Sequence, residues 1–186
     1  MKKKTKFIIS IFAIIIMAIL IGIAVYFSYK RGITPGVKSV LDVRNMTYAI
    51  NGETFTLVNS KAQKPYAPGS AVQNRFSLFG NPVYGDLDGD GDTDAAVILL
   101  NTPGGSGTFY YAVFVVNNGT SAYKATNAIL LGDRIAPQTV EIHDGRALYN
   151  FAERRPNEPM TTQPSIGKSV WIHYDAHTGE ISQDSK

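Results

Sequence analysis

The stretch AAVILLNTPGGSGTFYYAVFVV, Ala95 to Val116, decides the fold. It holds two apolar runs, Ala95–Leu100 and Phe109–Val116, on either side of the glycine-rich turn Asn101–Gly107. A run without polar alternation suits a strand buried on both faces. Two such strands joined by a turn predict the centre of an antiparallel sheet.

The flanking sequence agrees. Upstream, Tyr48-Ala49-Ile50, Asn51-Gly52 and Thr54–Val58 form a hairpin pattern, because Asn-Gly accepts the positive φ of a tight turn. Lys61–Ser70 reads as a proline-containing loop, and Arg75–Tyr84 leads toward the first apolar run. Downstream, Asn117-Asn118-Gly119 closes the second run and Ala128–Leu131 is a third buried-type strand. Val140–Ile142 and Ala147–Phe151 flank Asp144-Gly145, a second hairpin signal, and the alternating Val170–Tyr174 reads as the last strand. No helical repeat of useful length occurs past residue 44, and no internal repeat is evident. The expected fold is mainly β, a single antiparallel β-sheet or sandwich-like domain over residues 44–186.

Immediately before the first apolar run lies Asp86-Leu87-Asp88-Gly89-Asp90-Gly91-Asp92-Thr93-Asp94. Its carboxylates repel one another unless a cation draws them together. Asp86, Asp88 and Asp90 occupy loop positions 1, 3 and 5, and Gly91 at position 6 permits the sharp turn of a calcium loop. Asp92 at position 7 would offer its backbone carbonyl. An EF-hand needs a bidentate acid at position 12, but that residue is Val97, so Asp94 is the expected closing carboxylate. Oxygen-only ligands favour Ca2+ over magnesium or manganese and disfavour zinc. The site is therefore expected to bind metal through Asp86, Asp88, Asp90, Asp92 and Asp94. The rival reading is an ion-free Asp/Gly turn.

The N-terminus differs in kind. Phe7–Phe27 is an apolar run of about 21 residues, roughly 30 Å as a helix, which matches a hydrocarbon core. It is longer than a signal-peptide core, and Tyr26-Phe27-Ser28-Tyr29 is a poor cleavage site. The expected organisation is a basic cytoplasmic tail at 1–6, a transmembrane anchor at 7–27, a linker at 28–43 and an extracytoplasmic domain after it. Four lysines precede the run and Lys30 and Arg31 follow it, a modest bias toward a cytoplasmic N-terminus with the domain periplasmic or extracellular.

The chain carries 18 basic and 15 acidic residues, a formal +3. Six of the basic residues and none of the acids lie in the first 31 positions, so residues 32–186 carry a formal −3. That balance argues against a nucleic-acid partner. The absence of cysteine excludes disulfides, thiolate metal sites, cysteine nucleophiles and a lipobox-type anchor.

The acidic loop resembles the DxDGDG calcium loops of FG-GAP and VCBS-type repeats and of dockerins, in which the metal mostly holds a surface turn rigid. A wider resemblance rests on Asn45–Gly52 (NMTYAING), Gly85–Tyr111, Leu130–Thr139 (LLGDRIAPQT) and Gln163–Trp171 (QPSIGKSVW). Over roughly residues 44–175 these look like an uncharacterised bacterial envelope domain, secreted or membrane-tethered, sometimes found ahead of META-type domains. No META-type domain is expected after Lys186. The resemblance implies the calcium loop and no reaction.

Other motifs are weaker. Gly104-Gly105-Ser106-Gly107 lacks the G-x-S-x-G of a nucleophile elbow, because position 108 is Thr. Gly167-Lys168-Ser169 lacks the first glycine of a phosphate loop and runs into a strand pattern. His173 and His177 straddle a turn, and with His143 they make no evident cluster. Arg134, Arg154 and Arg155 read as paired loop charges, with a small anion or partner site as the alternative. Trp171, Tyr110 and Tyr111 read as core aromatics, with a groove lining as the alternative. The expectation is a non-enzymatic binding or structural module of the cell envelope, with a membrane anchor and an unknown envelope partner or ligand. The alternative is a small metal-dependent envelope hydrolase recruiting Glu141, Glu153 or His143.

Overall fold

The computed structural model describes residues 16–27, 41–117 and 122–184. The chain divides into two compact units, Met1–Ser39 and Val40–Lys186. In the first, residues 16–27 are helical and exposed throughout. At about 1.5 Å per residue these described residues cover about 18 Å. Among the described residues no helix is long and apolar enough to cross a membrane. The rest of the expected anchor (7–15), the basic tail at 1–6 and most of the expected linker (28–40) lie outside the described residues.

The second unit is antiparallel β throughout its described residues. Its strands are β1 (Thr47–Ile50), β2 (Glu53–Thr56), β3 (Lys61–Pro65), β4 (Gln73–Gly85), β5 (Asp94–Thr102), β6 (Phe109–Asn117), β7 (Tyr123–Ala125), β8 (Ile129–Asp133), β9 (Ala136–His143), β10 (Arg146–Glu153), β11 (Ile166–Asp175) and β12 (Glu180–Gln183). A six-stranded sheet runs β3-β4-β5-β6-β7, with β8 pairing the other end of β6. A four-stranded sheet runs β12-β11-β10-β9, and β1-β2 is a separate hairpin.

The large sheet is the middle layer, which is why β5 and β6 lack polar alternation. Ala96 and Ile98 of β5 and Ala112, Phe114 and Val116 of β6 point into one core. There they meet Tyr149, Phe151, Val170 and Ile172 of the four-stranded sheet. The alternate residues Ala95, Val97, Leu99, Tyr111, Val113 and Val115 enter a second core closed by Tyr48, Ile50 and Phe55 of the β1-β2 hairpin. Phe55 stacks on Phe76 of β4 at 3.8 Å between ring centroids. Buried polar groups tie the hairpin down. Asn101 donates to Asn74 Oδ1 at 2.6 Å, and Asn74 donates to Glu53 Oε2 at 2.8 Å.

The expected hairpins form. Asn51 and Gly52 take φ of 51° and 78°, and Asp144 and Gly145 take 48° and 73°, values that fit tight primed turns. Two expectations fail. Lys61–Pro65, read as loop, is the edge strand β3, held by main-chain pairing to β4 despite a polar, exposed sequence. Val170–Tyr174 is not the end of the sheet, because β12 follows and pairs with β11. Leu41 and Val43, assigned by sequence to the linker, pack in the second core.

Candidate metal centre

The acidic loop joins β4 to β5, and the pairing of Gly85 with Asp94 closes its base. Leu87 is 2% exposed and inserts into the first core, so the loop is pinned by a buried side chain at its second residue. Its backbone then folds onto its own carboxylates. Asp86 accepts from Gly89 N at 2.7 Å through Oδ1 and from Gly91 N at 3.1 Å through Oδ2. Asp88 Oδ1 accepts from Asp90 N at 3.2 Å, and Asp90 Oδ1 accepts from Asp92 N at 2.8 Å. These turns need left-handed backbone, supplied by Gly89 and Gly91 with φ of 84° and 85°.

Asp94 is fully buried. Its Oδ2 accepts from Leu87 N at 2.8 Å and its Oδ1 from Asn117 N at 2.9 Å. It thus joins the start of the loop to the end of β6. The Asn117 side chain also donates to Asp92 Oδ2 at 3.0 Å. Oxygens of Asp86, Asp88 and Asp94 all lie within 4.8 Å of one another. Asp90 and Asp92 are not in that three-way group: Asp90 accepts from Asp92 N within the loop, and Asp92 accepts from the Asn117 side chain at the end of β6.

The electrostatics follow from this crowding. Burial first, then the negative charges of Asp90 and Asp86, push the Asp94 carboxyl above its ordinary range against the pull of its two backbone donors. Asp88 moves the same way, from burial and from the charges of Asp94 and Asp90. Tyr174 on β11 is raised by burial and by the fields of Asp88, Asp94 and Asp175. A divalent cation would relieve these penalties. Each carboxylate keeps lone pairs beyond those taken by N–H donors, so three could still ligate a hard ion.

Sequence reasoning found the aspartates but missed Asn117 and Tyr174. Asn117 was legible only as a turn residue after an apolar run, and nothing local linked Tyr174 to the field of the loop.

The remaining sequence candidates lie elsewhere. Glu141 Oε2 is 3.2 Å from His143 Nε2, and His143 stands edge-on to Trp171 on the outer face of the four-stranded sheet. Glu153 pairs with Lys168 at 2.9 Å. His173 contacts Asp184 and Ser182, and His177 sits in the turn after β11. Arg134 pairs with Asp133 at 2.9 Å, Arg155 with Glu158 at 3.3 Å, and Arg154 donates to the carbonyls of Arg134 and Thr162. These three arginines are thus occupied with their own partners. Tyr111 is buried, accepting from Asn51, whereas Tyr110 packs edge-on against Phe79. Gly167–Ser169 lies within β11, and Gly104–Ser106 lies in the β5-β6 turn. The three grooves described in the domain are lined by residues outside the acidic loop.

Comparison of the chain with protein-family models, with curated proteins and with solved structures gives no match.

Proposed function

We propose that this chain is a membrane-anchored, extracytoplasmic calcium-binding β-domain, acting as a binding or structural module of the cell envelope. The observation that carries the calcium reading is the convergence of Asp86, Asp88 and Asp94 oxygens within 4.8 Å, one of them on a fully buried residue. Burying a carboxylate beside two others is costly without a counter-charge. The donor set is all oxygen, which favours calcium.

The anchor reading is supported by the apolar run Phe7–Phe27 and by the wholly exposed apolar surface of the helix at 16–27. The charge bias around the run supports a cytoplasmic N-terminus with the β-domain outside. The sequence likeness to an envelope domain agrees with that placement. Hydrolysis at the loop has less support, because Glu141, His143 and Glu153 are engaged with other side chains.

Thermal unfolding of the full chain tests the calcium reading. Extracellular calcium modules bind at about 10⁻⁴–10⁻³ M. At ten times Kd an ion bound only by the folded state adds RT ln 11, about 1.4 kcal/mol. For a domain of this size that raises Tm by about 3–6 °C. Chelator should remove the rise and magnesium should not reproduce it. An unchanged Tm in saturating calcium contradicts the reading.

A further inference from the structure

The four-stranded sheet packs against one face of the large sheet over Ala96, Ile98, Ala112, Phe114 and Val116. Toward β3 the same face is open. Strand register places six side chains there in two rows, Lys61–Ser77–Leu100 and Gln63–Arg75–Thr102. These residues line a groove of about 550 Å3. That falls within the roughly 300–1,000 Å3 of small-molecule sites.

Lys64, Lys168, Arg134, Arg146 and Arg155 each pair with a carboxylate. Neither the Lys61 nor the Arg75 side chain makes a hydrogen bond or ion pair with a described residue. Among the described residues of the domain, Arg44 and Lys124 also lack a carboxylate partner, but they do not line this groove. Lys61 and Arg75 occupy diagonal positions on adjacent strands, which sets their Cβ atoms roughly 7–8 Å apart. Two like charges, uncompensated, therefore face one concave surface of a domain whose formal charge is −3.

We propose that this groove binds a small phosphate monoester. Two neighbouring cations match a group carrying about −1.5 to −2 at neutral pH. Arg75 supplies the planar fork that bonds two phosphate oxygens at once, and Lys61 supplies a mobile point charge. The Ser77 and Thr102 hydroxyls and the Gln63 amide line the same groove and offer donors for the ester body, and Leu100 adds apolar lining.

The test is calorimetric titration of glycerol 3-phosphate, and separately of inorganic phosphate, into the full chain. Both are done in chelator, so the result does not depend on the acidic loop, and at about 0.1 M salt to screen long-range attraction. Saturable one-to-one binding of glycerol 3-phosphate is expected, with inorganic phosphate weaker because it lacks the body. Arg75→Gln should weaken binding by about tenfold or more, and Arg75→Lys, which keeps the charge and loses the fork, by several-fold. Lys61→Gln should also weaken it several-fold, whereas Lys124→Gln, on β7 outside this groove, should change it by less than about twofold. Absence of saturable binding overturns the proposal. So does a loss in Lys124→Gln equal to that in the Arg75 variants, which would mean general charge attraction only.

Discussion

Replacing Asp94 with Asn separates what this residue does for the fold from what it does for an ion. The carboxylate holds Leu87 N at 2.8 Å and Asn117 N at 2.9 Å, one with each oxygen. An amide has one oxygen, so one of those buried N–H groups would face an NH2 donor. Leaving a buried donor unsatisfied costs about 1–3 kcal/mol. The neutral amide avoids the penalty of burying a charge near Asp86 and Asp90, which returns part of that cost. In chelator the variant should therefore be less stable by about 1–2 kcal/mol. In calcium at ten times Kd the wild type gains about 1.4 kcal/mol and the variant gains little, so the gap widens to about 2.5–3.5 kcal/mol. Urea unfolding of both proteins, with calcium and with chelator, measures the four free energies. A gap that is the same in both conditions would refute the claim that Asp94 is a ligand. A variant as stable as wild type in chelator would refute its role in tying the loop to β6.

Three further outcomes are expected. Leu87→Ala empties a buried core position at the loop's second residue, costing about 2–4 kcal/mol in urea unfolding and weakening calcium binding measured on the folded fraction. Gly91→Ala places a side chain where φ is 85° but no atom lies within 4 Å, so backbone strain alone should cost about 1–2 kcal/mol, while Gly105→Ala, in open space without positive φ, should cost almost nothing. Burial alone would raise the Asp133 carboxyl, but the Arg134 guanidinium, the Thr108 N–H and the charges of Arg134 and Arg154 outweigh it and hold the group below its usual value. A depressed carboxyl stabilises the fold above its unfolded pKa and stops doing so as pH falls through the folded one. Asp133→Asn should therefore cost about 1 kcal/mol near neutrality, with the difference from wild type shrinking below about pH 4 in pH-dependent melts.

The parts of the fold that were legible in sequence are those where local chemistry dictates local geometry. Asn51-Gly52 and Asp144-Gly145 specify their turns because their residues accept positive φ. The runs at 95–100 and 109–116 specify strands buried on both faces because both faces had to be covered. The strands that were missed carry no such signal. β3 reads KAQKP and lies at a sheet edge, β7 is three residues long, and β12 buries only Ile181. Their pairing comes from the strand beside them and not from their own pattern.

The candidate site divides in the same way. Alternate aspartates announce an oxygen-rich loop. The bond from Asn117 N to Asp94 crosses 23 residues, and Tyr174 arrives from the other sheet, so neither could be read locally. The Lys61–Arg75 groove depends on register, since Lys61, Gln63, Arg75 and Ser77 alternate along their strands with Ala62 and Phe76, which pack in the second core.

Isothermal titration of calcium chloride into the calcium-free full chain tests the central claim most directly. One saturable site with Kd of about 10⁻⁴–10⁻³ M, absent when Asp86 and Asp88 are both replaced by Asn, is the result the account predicts. No saturable heat up to about 10 mM calcium, ten times the weak end of that range, would contradict it.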